Sequence, residues 1–211
     1  MDIRTNSNNK VNLNTENLEA ALSTFISDLV VESATTYPRR YVALQQHTAG
    51  TAARIAKTWV EDFWGLHVDP ASFLSTTFES DYDQMVVVGK VEFTSWCAHH
   101  FLPFFGRYSF AYVPNNRVVG LSKIPRMIEA WCAQPQIQEK LSEDIVGAFY
   151  QVLRPHGCGI VMDAVHSCMC ARGVNKLATT RTVALRGCFS SVEYSSKQEL
   201  LSAVGPIPEY R

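Results

Sequence analysis

MVVVGKVEF, at residues 85–93, is the stretch that decides the fold class of this chain. It is rich in valine, a β-branched residue that favours strands. Residues 107–113 alternate in polarity and end at a Pro114-Asn115-Asn116 turn, which is typical of a second strand followed by a chain reversal. The sequence therefore predicts two strands in succession.

Helical spacing follows these strands. Residues 124–131 and 136–153 carry apolar side chains at helical intervals, and Pro135 separates them because proline cannot continue a helix. Residues 158–168 and 178–188 are strand-like again, and residues 196–204 predict a short closing helix. From residue 85 the predicted order is strand, strand, helix, helix, strand, strand, which belongs to the α+β class. The buried face predicted for the second helix consists of Ile137, Leu141, Ile145, Phe149 and Val152.

The chain before residue 85 is predicted to be helical. Asn14 is placed as the N-cap of a first helix, and a second helix covers residues 51–64, with Gly65 as its C-cap. We expect a flexible polar leader at residues 1–13, a helical N-terminal region at 14–84 and one further domain at 85–211. The buried stripe expected on the first helix consists of Leu18, Ala21, Leu22, Phe25, Ile26 and Leu29.

Composition and charge narrow the class of protein. The 211 residues include 19 basic and 20 acidic side chains, and 46% of them are hydrophobic. Such a chain can bury a core, but it has no charge excess that would attract nucleic acid or a membrane surface. The start is polar and no apolar run approaches a membrane span, so we expect a cytoplasmic protein. Six cysteines are too few for a disulfide scaffold, which favours core thiols or metal ligands.

Cysteine and histidine occur together directly after the first predicted strand. Cys97 and His100 have a Cys-x-x-His spacing that lets both reach one ion from a tight turn, and Cys168 lies at the end of the third predicted strand. Three protein ligands would leave a fourth tetrahedral position for water, as in catalytic zinc sites. Adjacent residues of an extended segment point to opposite sides, so His99 and His100 are not expected to bind the same metal. The alternative is a pair of core thiols beside hydrogen-bonded histidines.

Two helix starts carry charged side chains. Residues 120–126 place Ser122, Lys123 and Arg126 at the beginning of a helix, which is a natural anion site or, alternatively, an ordinary capped helix. Residues 136–141 place Glu139 at the beginning of the next helix, where a carboxylate is usually a solvated, dipole-favouring side chain. Neither segment by itself establishes a binding site.

Taken together, these segments resemble the GTP cyclohydrolase I family. The resemblance runs in a consistent order from about residue 51 to residue 187, which is more specific than any single motif. It implies the tunnelling fold for the domain at 85–211, which would be the catalytic domain. The matching segments are residues 97–100 with Pro103-Phe104, 120–126, 134–141, 163–168 and 171–174, and a weaker match at 51–57.

The resemblance also implies roles for individual residues. Cys97, His100 and Cys168 would bind Zn²⁺, and Glu139, supported by Gln138, would bind the guanine edge. Proton transfer would belong to His99 and His166, and Ser122 is placed with these catalytic residues. The family's triphosphate clamp would consist of Arg54, Lys123, Arg126 and Arg172, with Ser122 beside them.

The reaction implied by the family is the hydrolytic opening of the imidazole ring of GTP. It releases formate and forms 7,8-dihydroneopterin triphosphate without a redox cofactor. The expected partners are GTP and further copies of this chain in a homo-oligomer, a decamer with active sites at subunit interfaces, and neither nucleic acid nor membrane. The pathway that consumes the product, which leads to folate, biopterin or a deazapurine, stays open.

The chain departs from the family pattern at Ala98, where members commonly have Glu, and at Ala52, where they have Pro. A carboxylate beside the metal turn could orient a ligand or a histidine, so the first departure concerns the metal site. Cys170 would face the same way as Cys168 if both lay on one strand, and could then complete a closed, structural zinc site. A member that binds nucleotide or pterin without catalysis is the other alternative.

Overall fold

A computed structural model describes residues 14–36, 38–191 and 196–208 of the chain. The leader predicted at residues 1–13 lies outside the described residues. The chain divides into two compact units, residues 1–67 and 68–211. None of the described helices combines the length and the apolar character needed to cross a membrane.

The N-terminal unit contains three helices, α1 (Thr15–Thr36), α2 (Pro38–Thr48) and α3 (Thr51–Asp62). The predicted cap is confirmed, because the Asn17 N–H donates to Asn14 Oδ1 at 3.0 Å. The buried stripe of α1 is narrower than predicted and follows every fourth residue. Leu18, Leu22 and Ile26 are half-buried and Val30 is buried, whereas Ala21, Phe25 and Leu29 are exposed.

The end of α3 differs from the prediction. The helix stops at Asp62, and the chain tightens into a 3₁₀ helix at Trp64–His67 that includes Gly65. Gly65 is therefore not a C-cap; Phe63 has that position. Phe63 and Trp64 are both buried. Helix α2 was not predicted from the sequence.

The C-terminal unit is built on a five-stranded sheet. A 3₁₀ helix at Pro70–Ser75 leads into β1 (Thr77–Glu79), which pairs with β4 (Arg117–Val119) in a separate two-stranded sheet. The main sheet has the order β5-β2-β3-β6-β7, antiparallel except for the parallel pair of β2 and β5. Its strands are β2 (Val86–Cys97), β3 (Pro103–Val113), β5 (Pro135–Gln136), β6 (Gly157–His166) and β7 (Thr179–Gly187).

Helices cover both faces of this sheet. They are α4 (Lys123–Cys132), α5 (Gln138–Leu153), the single turn α6 (Ser167–Cys170) and α7 (Ser196–Val204). Side chains alternate along β3, so that Phe110 and Tyr112 join the core with α4 and α5, whereas Ala111 packs with Leu200 of α7. The predicted α+β class is confirmed, and the long elements from β2 onward follow one another as strand, strand, helix, helix, strand, strand.

Two details of the predicted α5 face are wrong. Ile137 and Val152 are each 43% exposed. Ile137 precedes the first helical residue in an extended conformation, and Val152 is rotated about 100° from Leu153, which continues the buried row. That row consists of Leu141, Ile145, Phe149 and Leu153.

Candidate metal centre and active site

The metal turn begins at the last residue of β2 and is held by its main chain. The Cys97 N–H donates to Leu102 O at 2.9 Å, and the Phe101 N–H donates to Cys97 O at 2.8 Å. The Ala98 N–H donates to Gln136 O of β5 at 2.9 Å. The Cys97 side chain is 6% exposed, whereas His99 and His100 are exposed. The turn thus combines a buried thiol with two accessible imidazoles.

Strand pairing brings the second thiol to this turn. Trp96 lies opposite Pro103, and Phe104 lies opposite His166, so the ends of β2 and β6 flank the start of β3. Cys168 follows two residues after His166, in α6 rather than at the end of a strand as predicted. Its Sγ atom lies 3.9 Å from Cys97 Sγ.

Cys97, His100 and Cys168 form a group that could hold a metal ion, with ligand atoms all within 4.8 Å of one another. Cys97 Sγ is 3.7 Å from His100 Nδ1 and 3.9 Å from Cys168 Sγ. In a tetrahedral zinc site two sulfur ligands lie about 3.8 Å apart, and a sulfur and a nitrogen lie about 3.6 Å apart. The two distances from Cys97 Sγ therefore agree with tetrahedral zinc coordination.

His99 lies beside this group but is not part of it. Its Nδ1 is 3.9 Å from Cys97 Sγ, and its ring centroid is 6.2 Å from that of His100, at an angle of 66°. Within the part of the chain that the structure describes, no hydrogen bond joins the two histidines. The alternative of a hydrogen-bonded histidine pair therefore has no support in the geometry.

Cys170 does not share the direction predicted for it. The prediction placed Cys168 and Cys170 on one strand, but residues 167–170 form a helical turn. Residues two apart in a helix point about 200° away from each other. In the described ranges, Cys170 belongs to no group of ligands that could hold a metal.

The surroundings of Cys168 favour the neutral thiol over the thiolate. Burial, followed by the neighbouring Cys97 thiol, raises the pKa of Cys168, while the Arg172 charge lowers it. A bound cation would favour the thiolate, so metal binding at this group would release protons. Arg172 itself is exposed.

His166 is held by two neighbours. Its Nε2 lies 2.7 Å from Gln138 Oε1, and its ring stacks on Phe104 with centroids 4.6 Å apart and planes 7° apart. Burial lowers the pKa of His166, and the charge of Glu139 partly opposes this effect. A neutral imidazole is therefore favoured beside the metal group.

Glu139 and Gln138 begin α5 but have different surroundings. Glu139 is exposed and makes no hydrogen bond or ion pair with the rest of the described chain. The Gln138 side chain is 1% exposed, and its polar atoms contact protein groups of β6 and β7 as well as His166. The parallel pair of Cys97 with Gln136 places this helix start beside the metal turn.

The predicted anion-binding residues of α4 are not joined to the metal group. Ser122 is exposed and makes no capping hydrogen bond. Lys123 and Arg126 are half-buried, and neither forms an ion pair with any described residue. No hydrogen bond or ion pair in residues 68–191 connects these three side chains with Cys97, His100 or Cys168.

Arg54 belongs to the N-terminal unit. It lies in α3, and its guanidinium group donates to Thr51 Oγ1 at 2.8 Å. Two contacts at the site were not predicted from the sequence: Phe104 stacks on His166, and Thr182 lies beside Gln138. Both contacts depend on strand register, which motif spacing does not show.

Comparison with known proteins identifies similar chains. Residues 42–204 match the profile of the family GTP cyclohydrolase I. The "GTP cyclohydrolase 1" of Brevibacillus brevis is 40% identical over 154 residues, which are 72% of this chain and 82% of that protein. The "GTP cyclohydrolase 1" of Campylobacter curvus is 45% identical over 141 residues, which are 66% and 74% of the two chains. The crystal structure of the archaeosine synthase QueF-Like in the apo form is similar over 52% of this chain, with a TM-score of 0.40 and 16% identity.

The ligand group makes a direct prediction about the cysteines. Cys97→Ser and Cys168→Ser should each lose bound zinc, because a hydroxyl is a much poorer ligand than a thiolate. Cys170→Ser is the matched control and should keep about one zinc per chain. Elemental analysis of the three purified variants checks this. Loss of zinc from Cys170→Ser alone would show that the wrong thiol has been assigned.

Proposed function

We propose that this chain uses zinc to open the imidazole ring of GTP. The chain belongs to the GTP cyclohydrolase I family and is a GTP cyclohydrolase. The products would be formate and 7,8-dihydroneopterin triphosphate. Residues 85–211 would form a tunnelling-fold catalytic domain, which follows the helical region at 14–84 in the sequence. The single observation that carries the proposal is the group of Cys97, His100 and Cys168.

The donor set supports zinc as the metal. Two thiols and one imidazole are ligands that zinc prefers, and three protein ligands correspond to a catalytic rather than a closed structural site. Zinc, when bound, would supply Lewis-acid activation of water near neutral pH. The separation of Cys170 from the ligand group argues against a fourth thiol ligand.

Glu139 is suited to recognise guanine. Its exposed carboxylate, without a hydrogen-bond partner in the described residues, can accept two hydrogen bonds from the ring N–H and the amino group of the base. Adenine presents the wrong pattern of donors at that edge. A site built on such pairing can reject the wrong base by roughly 10⁴ in favourable cases, because the carboxylate is left unpaired.

His166 and His99 are suited to move protons. Both lie outside the ligand group and close to it, His99 at 3.9 Å from Cys97 Sγ and His166 two residues before Cys168. Histidine titrates in the range in which a ring nitrogen can be protonated while a carbon–nitrogen bond breaks. Ser122 is assigned with them on the resemblance and offers a free hydroxyl at the start of α4.

Unpaired cations are suited to bind the triphosphate. Lys123, Arg126 and Arg172 form no ion pair within the described chain, so their charges are available to a ligand. Each charge-assisted hydrogen bond to phosphate would contribute about 1.5–3 kcal/mol. The resemblance adds Arg54 to this set.

We also propose a homo-oligomer, a decamer with active sites shared between subunits. The outer edge of β7 is unpaired in the described chain, and β5 pairs with only Trp96 and Cys97 of β2. Open sheet edges of this length need partners. The absence of described contacts between the α4 cations and the metal group agrees with a site completed by a second copy.

Product analysis tests the function, and two neighbouring histidines test the mechanism. Zinc-loaded protein should convert GTP to formate and a fluorescent pterin in equal amounts. His99→Ala and His166→Ala should keep zinc and GTP binding while the rate falls by roughly 10²–10⁴. His100→Ala should lose the metal itself.

Metal analysis beside a formate assay separates the outcomes. If His99→Ala is the variant without zinc, the roles of the two histidines are reversed. If the wild type binds GTP but releases no formate, the chain is a binding protein and not a cyclohydrolase.

A second pair of variants tests recognition. Glu139→Ala should reduce the preference for GTP over ATP and keep zinc, whereas Arg172→Ala should weaken GTP binding and leave guanosine binding unchanged. Calorimetric titration with GTP, ATP and guanosine measures both effects. Equal losses of GTP and guanosine affinity in Arg172→Ala would contradict a phosphate contact.

Light scattering tests the assembly. The purified protein should behave as a stable homo-oligomer of about ten chains, because unpaired strand edges associate. A stable and active monomer would refute both the assembly and the shared sites.

A further inference from the structure

We propose that Gln138 is a positioning residue that holds His166 in one orientation and one tautomer, with a proton on Nε2 and a bare Nδ1. The proposal rests on the proposed function, since it assumes proton transfer by His166. It differs from the sequence prediction, which placed Gln138 at the guanine edge. In this proposal Gln138 acts only through the histidine.

The orientation of the Gln138 amide follows from its acceptors. Gln138 Nε2 lies 3.0 Å from Met162 O and 3.1 Å from Thr180 O. Backbone carbonyl oxygens can only accept hydrogen bonds. A flipped amide would place its own oxygen against both carbonyls, so the nitrogen must face β6 and β7, and Oε1 must face His166.

Two hydroxyl groups reinforce this orientation. Ser142 Oγ donates its one proton to Gln138 O at 3.0 Å. The 2.7 Å contact between Ser142 and Thr182 must then have Thr182 as the donor. Thr182 Oγ1 is left as a third acceptor 3.2 Å from Gln138 Nε2, whose two N–H groups are shared among Met162 O, Thr180 O and this oxygen. Gln138 and Ser142 are 1% and 2% exposed, so a flipped amide would leave buried polar groups without partners.

The tautomer of His166 follows from the amide. Gln138 Oε1 carries no hydrogen, so the 2.7 Å contact requires His166 Nε2 to donate. Stacking on Phe104 fixes the plane of the ring, and Nδ1 has no hydrogen-bond partner in the described ranges. Nδ1 is thus left as the bare nitrogen of the neutral ring.

Direct contact between Gln138 and the base is the competing explanation. The side chain is almost fully buried, and both its oxygen and its nitrogen already have protein partners. A hydrogen bond to guanine would require one of these contacts to break. The two explanations predict different kinetic effects, since a base contact acts on substrate binding and a positioning contact acts on the rate.

The wild-type tautomer is measured first. Zinc-loaded protein labelled with ¹⁵N-histidine would be studied by solid-state NMR at a pH at which the ring is neutral. The chain has six histidines, so His166 is assigned from the signals absent in His166→Asn. We expect a protonated Nε2 and a bare Nδ1. A proton on Nδ1 would overturn the proposal, and this measurement stands whether or not GTP is converted.

Gln138→Leu then tests the positioning role. It removes the acceptor, so His166 should lose its single-tautomer signature, and kcat should fall about 10- to 100-fold as for other outer-shell partners. KM for GTP should stay near that of the wild type, whereas Glu139→Ala, the matched control, should raise it. A rise in KM with unchanged histidine signals would favour base contact and overturn the proposal.

Thr182 offers a milder pair in case Gln138→Leu does not fold. Thr182→Val removes the hydroxyl and keeps the shape of the side chain, whereas Thr182→Ser keeps the hydroxyl. In Thr182→Val, the His166 signals should no longer show a single tautomer, and kcat should fall. In Thr182→Ser, the single-tautomer signals and the wild-type kcat should be restored. Wild-type His166 signals and a wild-type kcat in Thr182→Val would refute the proposed role of the Thr182 hydroxyl in orienting the Gln138 amide.

Discussion

The close approach of β3 to β6 is the constraint on which the site depends. Gly106 lies where a Cβ atom would come within 1.8 Å of Asp163 O, so only glycine allows the strands to pair at this distance. With this pairing, the start of β3 lies between the ends of β2 and β6. Cys97 and Cys168 are 71 residues apart in the chain, yet their sulfur atoms lie 3.9 Å apart. The metal group is thus a consequence of strand register.

The side chains around this group fall into two physical classes. Gln138 and His166 are buried or half-buried and held by protein partners, which fixes the direction of their hydrogen bonds. Glu139, Ser122 and Arg172 are exposed, and their hydrogen-bonding and ion-pairing capacity is not used within the described chain. Side chains held by protein partners are suited to move protons at a defined atom. Exposed polar side chains without such partners are suited to bind a ligand, because the ligand supplies their hydrogen-bond or ion-pair partner. His99 and Ser122 are exceptions to this division, since both are exposed and both are assigned to the chemistry.

Sequence reasoning succeeded where the signal was local or periodic. The spacing of Cys97 and His100 in one turn, the cap at Asn14 and the closing helix at Ser196–Val204 all follow from neighbouring residues. It failed where a short segment has a conformation that its local sequence does not indicate. Cys170 was placed on a strand because the strand pattern of β6 gave no sign that residues 167–170 would form a helical turn. The short strands β1, β4 and β5 were missed, since two or three residues carry no detectable period.

The role of Gln138 shows a further limit of sequence reasoning. The resemblance to the family implied that Gln138 supports Glu139 at the guanine edge, but neighbouring residues at a helix start point in different directions. Only the register of β6 with β7 shows that Met162 O and Thr180 O meet the Gln138 amide. A residue that acts through another one is therefore hard to recognise from a motif.

Ala98 can be understood from the same main-chain contacts. The family commonly has a carboxylate at this position, which could orient a ligand or a histidine. In this chain the residue is exposed, and its N–H is tied to Gln136 O while the flanking turn is closed by Cys97, Phe101 and Leu102. The shape of the turn therefore does not depend on the side chain at position 98. The three ligand atoms lie within 4.8 Å of one another with alanine at this position.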